Sequence, residues 1–253
     1  MGQRWTRGVE RVKVSVILPT YNERENIVPL IEAIQEQATG RPEELEVIVV
    51  DDNSPDGTAA AVRERFGEDP RVRILVRTEE RGLASAIWHG ITHAGGDIVV
   101  VMDTDFNHDP QMIPQMVDFL KYYDVIVGSR FTHGGGMEDR RRYYFSFLYN
   151  LFVRFWLGTR VQDNLSGFFA MRRERLLALS PAWLFQGYGE YFIRLLYVAW
   201  KSGYRLLEVP VFYRLRPHGQ SKSRFLRMIW TYTVTVFRMR FGPQDWLQRG
   251  GAA

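Results

Sequence analysis

Short runs of apolar, mostly β-branched residues alternate with segments of helical spacing through the first half of the chain. The apolar runs occupy positions 12–18, 45–50, 72–76, 97–102 and 124–127. Apolar residues recur every three or four positions in the segments 25–37, from near 58, 82–94 and 110–122. Strands that alternate with helices of these lengths predict an α/β fold with a mostly parallel central sheet flanked by helices.

Acidic and polar loops follow these predicted strands. A dinucleotide-dependent dehydrogenase would carry a Gly-x-Gly-x-x-Gly loop after one of them, and no predicted strand is followed by that motif. Asp103 and Asp105 come directly after the run at 97–102, and ligands of open α/β sheets collect beyond the carboxyl ends of strands. Two carboxylates can hold Mg²⁺ or Mn²⁺ and leave coordination positions for diphosphate oxygens. The pair therefore indicates a metal-held nucleotide sugar, although Asp-x-Asp also occurs by chance in surface loops.

Length and composition narrow the class of protein. The chain has 253 residues, of which 45% are hydrophobic, so it can form one large α/β domain or two small ones. It contains no cysteine, which excludes disulfides and cysteine-based metal sites and fits a reducing cytoplasm. No stretch approaches the roughly 18 apolar residues of a spanning helix, and we expect the protein not to cross a bilayer.

The net charge is +4, and lysine occurs only at Lys13, Lys121, Lys201 and Lys222. Nearly all the positive charge is therefore arginine, which favours bidentate binding to phosphate or carboxylate. A general compositional bias towards arginine would explain the same number of arginines. The modest charge and the lack of any RNA- or DNA-binding motif predict no nucleic-acid partner.

Two later segments, 140–156 and 224–241, mix arginine with Trp, Tyr and Phe. Helices of this composition can lie flat at a membrane interface, where rings and cationic groups each find a suitable depth. The alternative is an ordinary amphipathic helix packed on the sheet. The arginines at 140–142 would contribute ~1 kcal/mol each near anionic head groups, or would be solvated at a helix start.

Five motifs in order resemble those of family 2 glycosyltransferases with the GT-A fold. They are VSVILPTYNEREN at 14–26, VDDNSPDGT at 50–58, Asp103 with Asp105, GSR at 128–130 and SGFFA at 166–170. The resemblance runs from about 12 to 222 and is nearest to dolichol-phosphate mannose synthases. It implies inverting, metal-dependent transfer of mannose from GDP-mannose to a polyprenyl or dolichyl phosphate.

The resemblance also implies roles for residues at the donor. Asp52 would reach a base nitrogen, which suits a carboxylate acceptor, and Gly82 would lie beside the nucleotide or form a plain strand-to-helix turn. Asp105 would bind the ion directly, and Asp103 would contact ribose or share the ion. The residues implied near the base and ribose are Pro19, Tyr21 and Glu23, and Asn107 is implied as another metal ligand.

Further residues are implied at the acceptor. Arg130 would bind phosphate, with a salt bridge to a nearby acid as the alternative. Asp163, Ser166 and Gly167 match a loop beside the sugar and the acceptor. A polyprenyl phosphate is already an anion, so Asp163 need not act as a strong base. A closing loop with Gly-x-Ser-Lys would supply Arg216, Ser221 and Lys222 and, less directly, His218.

The implied organisation is a tail at 1–11, a GT-A catalytic domain at 12–222 with an interfacial helix at about 140–158, and a C-terminal amphipathic helix and tail at 223–253. The family carries an acidic residue near Arg194, and Glu190 one turn earlier would compensate by pairing with it. This departure leaves three functions in competition: the mannosyltransferase, a UDP-dependent transferase of glucose or an N-acetylhexosamine, and a non-catalytic scaffold. We expect a peripheral protein on the cytoplasmic face of a membrane, held by its helices, by the lipid substrate or by a membrane-anchoring partner subunit.

Overall fold

The computed structural model describes residues 12–179, 181–214 and 225–242. The strands in this part of the chain are β1 (Lys13–Thr20), β2 (Glu44–Asp51), β3 (Val72–Val76), β4 (Ile98–Val101), β5 (Val125–Ser129), β6 (Gly136–Met137), β7 (Phe169–Arg172), β8 (Leu206–Pro210) and β9 (Phe212–Tyr213). The helices are α1 (Arg24–Ala38), α2 (Thr58–Phe66), α3 (Leu83–His93), α4 (Met112–Phe119), α5 (Arg140–Leu157), α6 (Arg173–Leu177), α7 (Pro181–Leu184), α8 (Glu190–Lys201) and α9 (Phe225–Phe241).

The described strands form a seven-stranded sheet in the order β3-β2-β1-β4-β7-β5-β8, beside a small parallel pair of β6 and β9. Strand β7 is antiparallel to both of its neighbours, and the other pairings in the large sheet are parallel. The α/β fold with a mostly parallel central sheet is therefore confirmed. The sequence pattern did not identify β7 or β8.

Helices cover both faces of the sheet, which explains why the strands are continuous apolar runs rather than alternating ones. Successive residues of β1 point to opposite faces: Val16 and Leu18 join a core with α1, α2 and α4, and Ile17 joins a core with α3, α5, α8 and α9. Helix α3 lies directly on β1 at Gly90, where an added Cβ would stand 2.4 Å from Cγ2 of Ile17.

The order of the strands reverses at β1. The chain runs from β1 to β2 and β3 on one side and then returns to place β4 on the other side of β1. A crevice forms at such a switch point, beyond the carboxyl ends of the strands. Thr20 ends β1, and Asp103 stands two residues after the end of β4, so the polar segments that follow both strands reach this crevice.

Helices α5 and α9 pack against each other through aromatic rings, including Phe152 against Phe237 at 6.0 Å and Trp156 against Phe237 at 4.9 Å between centroids. Large apolar side chains remain exposed on both helices: Tyr144, Phe145, Phe147, Leu148, Leu151, Phe155, Trp230 and Phe241. Within the described ranges, we find no helix with the combined length and apolarity that crossing a bilayer requires.

Candidate active site

A cavity of about 350 Å³ lies at the carboxyl ends of β1, β2 and β4. The structure brings together here all the residues that the sequence assigned to the nucleotide, and it adds Arg81, whose guanidinium carbon is 5.3 Å from the centre of the Tyr21 ring. The sequence-assigned residues on its wall are Pro19, Tyr21, Glu23, Asp52, Gly82, Asp103 and Asp105. We call this space the donor cavity.

The Asp52 carboxylate is buried and organises one wall of the donor cavity. One oxygen accepts from Nε of Arg77 at 2.7 Å, and the other accepts from the backbone N–H of Gly82 at 2.8 Å. Arg77 also donates to Oγ of Ser85 at 3.0 Å and to the carbonyl of Gly82 at 3.1 Å. The buried ion pair therefore fixes the turn that leads into α3. Sequence reasoning missed Arg77, whose signal was its place directly after a strand that neighbours β2.

The Asp-Thr-Asp turn presents two carboxylates with different exposure. The Asp103 side chain is 42% exposed, whereas Asp105 is buried and accepts from the backbone N–H and the Nδ2 of Asn107 at 3.1 and 2.9 Å. Asn107 thus orients Asp105 in this structure. The described residues hold no cluster of three or more His, Cys, Asp or Glu side chains suited to a metal. Two hard carboxylate oxygens on one cavity wall nevertheless fit Mg²⁺ or Mn²⁺ that is completed by diphosphate and water.

A buried histidine connects this turn to the predicted acceptor loop. Nδ1 of His108 accepts from the backbone N–H of Asp103 at 2.8 Å, so its proton lies on Nε2, which is 2.7 Å from the Tyr213 hydroxyl. Tyr213 in turn donates to the carbonyl of Ser166 at 3.0 Å. Burial lowers the pKa of His108 to about 4, so the imidazole is neutral near pH 7. Sequence reasoning missed the role of Tyr213, which comes from the short strand β9.

Arg130 and Asp163 form a buried bidentate ion pair. Nε and Nη2 of Arg130 are 2.7 and 2.8 Å from the two carboxylate oxygens, and the Arg130 backbone N–H donates to the same carboxylate at 3.0 Å. Burial opposes the charged guanidinium, but the charge of Asp163 prevails and raises the pKa of Arg130 above its ordinary value. The salt bridge that the sequence left open is therefore present, and both oxygens of Asp163 are occupied by it.

A second cavity of about 700 Å³ lies beside the first, and we call it the acceptor cavity. Its polar end is formed by residues that the sequence assigned to catalysis, metal or acceptor: Asp103, Asn107, Arg130, Ser166 and Gly167. Its remaining wall is largely apolar and comes from α5, α8 and α9, with Phe145, Tyr149, Phe152, Met228 and Tyr232 among its residues. Leu83, Asp103 and Tyr188 line both cavities, which therefore meet at these three residues.

The structure contradicts one expectation from the sequence, and another concerns residues that the structure does not describe. The predicted pairing of Glu190 with Arg194 is wrong: Arg194 donates from Nε to the carbonyl of Leu184 at 3.0 Å and from Nη2 to the carbonyl of Gln186. The guanidinium thereby supplies donors to the last carbonyl of α7 and to a carbonyl in the turn that follows. The residues of the predicted closing loop lie outside the described part of the chain: Arg216, His218, Ser221 and Lys222.

Solved structures confirm the class of fold. Glucosyl-3-phosphoglycerate synthase from Mycobacterium tuberculosis, in complex with Mn²⁺, uridine diphosphate and glucosyl-3-phosphoglycerate, matches with a TM-score of 0.70 at 22% identity, over 92% of this chain and 81% of that chain. The same enzyme with Mg²⁺ and uridine diphosphate matches with a TM-score of 0.70 over 92% and 80% of the two chains, also at 22% identity. The likeness establishes a GT-A-like fold for this chain.

The sequence comparison establishes the family. The family described as glycosyl transferase family 2 matches residues 15–178, and the chain belongs to that family and is a glycosyltransferase. A dolichol-phosphate mannosyltransferase of Pyrococcus furiosus is 34% identical over 90% of this chain and 64% of its own length. An undecaprenyl-phosphate mannosyltransferase of Micrococcus luteus is 33% identical, over 83% of this chain and 87% of the relative. A polyprenol monophosphomannose synthase of Mycolicibacterium smegmatis is 36% identical, over 82% and 79%. The chain thus spans less than two thirds of the Pyrococcus relative.

The Arg130–Asp163 pair yields a stability prediction. Asp163→Asn leaves a guanidinium buried without its counter-charge, and we expect the free energy of unfolding to fall by about 3–5 kcal/mol. Denaturant unfolding monitored by circular dichroism measures the change. Glu32→Gln is the control, because it removes the partner of Arg65 from an exposed pair and should cost under about 1 kcal/mol. Equal losses in the two variants would contradict a buried, structurally essential pair.

Proposed function

We propose that the chain transfers mannose from GDP-mannose to the phosphate of a polyprenol of the dolichol type, with inversion at the anomeric carbon and with Mg²⁺ or Mn²⁺. The observation that carries this proposal is the meeting, at Leu83, Asp103 and Tyr188, of a cavity lined by carboxylates with a larger cavity whose remaining wall is formed mainly by apolar and aromatic side chains. A nucleotide sugar suits the first space and a lipid phosphate suits the second. The names of the three relatives support mannose as the transferred sugar and a polyprenyl-type phosphate as the acceptor.

The donor half of the proposal rests on the residues that converge on the donor cavity. Tyr21 and Arg81 offer an aromatic face and a guanidinium for the base and the diphosphate. Asp103 and Asp105 would hold the divalent ion. When bound, the ion would neutralise the charge that develops on the departing diphosphate. Asp105 is held ready for this role by the two hydrogen bonds from Asn107.

The proposed transfer is a single displacement. An oxygen of the lipid phosphate attacks the anomeric carbon as the bond from that carbon to the diphosphate breaks, and the electron pair leaves with the nucleoside diphosphate. The attacking oxygen is already anionic near pH 7, so no side chain has to remove a proton. The engaged state of Asp163 agrees with this scheme, because both of its oxygens accept from Arg130. The main contributions of the chain are then orientation and compensation of charge.

The acceptor half rests on the composition of the acceptor cavity. Arg142 lies on its wall and supplies positive charge for a phosphate group, and Arg130 lies there too, with its charge offset by Asp163. The apolar remainder between α5 and α9 suits the first isoprenoid units of a lipid. The exposed rings of the same two helices suit the membrane in which such a lipid resides. We propose that these helices hold the protein at the membrane surface.

Calorimetric titration tests the donor and the metal. GDP and GDP-mannose should bind at least about tenfold more tightly with Mn²⁺ than without it, because the ion offsets the charge of the diphosphate. Asp105→Asn should remove this dependence, and Asp109→Asn should retain it, since Asp109 is not on the wall of the donor cavity. A preference for UDP would replace mannose by glucose or an N-acetylhexosamine as the transferred sugar. Binding of neither nucleotide would contradict the proposed function.

Flotation with liposomes tests the membrane contact. The double variant Leu151→Ser and Phe155→Ser removes two exposed apolar side chains from one face of α5, of which Phe155 is 79% exposed, and neither is on the acceptor-cavity wall. Each would lose about 1.5–3 kcal/mol of burial in the lipid, so partitioning should fall at least about tenfold. Tyr122→Ser is the control, an aromatic that is 66% exposed and lies beyond the end of α4. Unchanged flotation of the double variant would contradict membrane contact through α5.

A further inference from the structure

The turn between α7 and α8 passes the place where the donor and acceptor cavities meet. Tyr188 stands at its centre, and its side chain is exposed to both cavities. With Leu83 and Asp103 it completes the set of described residues that line both spaces. Any group that passes from a donor in one cavity to an acceptor in the other must cross this junction.

Two charged side chains of α8 hold this turn in place. Arg194 donates to the carbonyls of Leu184 and Gln186, and the carboxylate of Glu190 accepts from the backbone N–H of Tyr188 at 3.1 Å. Burial lowers the pKa of Arg194, against the opposing charge of Glu190. Burying two charged groups is costly, and both serve the backbone on either side of Tyr188. The free-energy cost of burying both groups indicates that the position of this turn matters for function.

Helix α9 fixes the same turn from the other side. A Cβ added to Gly189 would lie 1.8 Å from the Tyr232 hydroxyl, so the glycine is what allows α9 to approach the residue next to Tyr188. Gly187 has a φ of +78°, which favours glycine on the preceding side as well. Tyr188 therefore stands between two glycines, on a turn that contacts α8 and α9, and both of these helices also line the acceptor cavity.

We propose that Tyr188 is a specificity-determining residue that contacts the transferred sugar and sets the position of its anomeric carbon, and that Glu190 and Arg194 are positioning residues for it. The proposal rests on the proposed transfer between the two cavities. A hexose has an apolar face of C–H groups that packs on an aromatic ring. It also has hydroxyls that donate hydrogen bonds to a carboxylate such as that of Asp103. The junction offers both, with Leu83 as a further apolar contact.

The test separates the sugar from the nucleotide. Calorimetry with the full chain and Mn²⁺ would give the affinities for GDP and for GDP-mannose, and turnover with a polyprenyl phosphate would give kcat/KM. For Tyr188→Ala we expect the GDP affinity to stay within about twofold and kcat/KM to fall at least about tenfold. The ratio of kcat/KM for GDP-mannose to that for GDP-glucose should also fall. Tyr122→Ala, at an exposed tyrosine away from both cavities, should change none of these quantities.

Arg194→Lys tests the positioning role, because lysine keeps the charge but cannot span both carbonyls in the same way. It should lower kcat/KM and the sugar preference in the same direction as Tyr188→Ala, with the GDP affinity again retained. A merely structural role would instead lower the GDP affinity and the melting temperature together, with the sugar preference intact.

Two results would overturn the proposal, and they differ from failure of the donor assignment. One is a Tyr188→Ala variant with the kcat/KM and sugar preference of Tyr122→Ala. The other is a Tyr188→Ala variant in which the affinities for GDP and for GDP-mannose fall by the same factor. If the wild-type chain binds UDP rather than GDP, the donor assignment fails, and the same comparison with UDP and UDP-glucose decides the role of Tyr188. Binding of neither donor by the wild-type chain would overturn both proposals.

Discussion

The reversal of strand order at β1 is the constraint on which the site depends. Because β4 pairs with β1 on the side opposite to β2, the segments that follow these strands converge at one edge of the sheet. Tyr21, Asp52 and Asp105 are far apart in sequence, and they share one cavity for this reason alone. The continuous apolar strands and the helices on both faces hold that edge rigid. The topology of the sheet therefore brings these side chains together, and local side-chain contacts then orient them.

Buried networks of hydrogen bonds and ion pairs connect the residues that line the two cavities. The chain of hydrogen bonds from Asp103 through His108 and Tyr213 to Ser166 joins the Asp-Thr-Asp turn to the loop that precedes β7. The Arg130 guanidinium lies 4.8 Å from the centre of the Tyr213 ring, so the ion pair with Asp163 meets the same network. Each buried charge or donor in this region has a partner, which keeps the walls of both cavities in a fixed arrangement. Such preorganisation suits a reaction that needs orientation and compensation of charge rather than proton transfer.

Much of the fold could be read from the sequence because β1 to β5 and the helices between them have strong local periodicity. The donor-cavity residues could be assigned because their motifs resemble those of family 2 glycosyltransferases, and for Asp103 and Asp105 the position after a strand gave an independent indication. Strand β7 escaped because four residues after a glycine turn carry little pattern, and its antiparallel pairing is a tertiary choice. Arg77 was missed because its partner Asp52 lies 25 residues away, directly after a neighbouring strand.

The error at Arg194 has a different origin. Helical spacing correctly put Glu190 and Arg194 on neighbouring turns of α8, but spacing does not decide which group a buried side chain contacts. Arg194 instead donates to the carbonyl of Leu184, the last residue of α7, because that carbonyl has no hydrogen-bond partner within its own helix. Tyr188 could not be singled out from sequence for a similar reason, because its importance comes from the meeting of two cavities.

A crystal structure of the chain with Mn²⁺ and GDP-mannose would show whether the transferred sugar lies at the junction of the two cavities. We expect anomalous density for Mn²⁺ at the carboxylates of Asp103 and Asp105, the diphosphate in the donor cavity, and the mannose directed towards Tyr188 and the acceptor cavity. A nucleotide bound elsewhere, or a sugar that points away from the junction of the two cavities, would contradict this expectation.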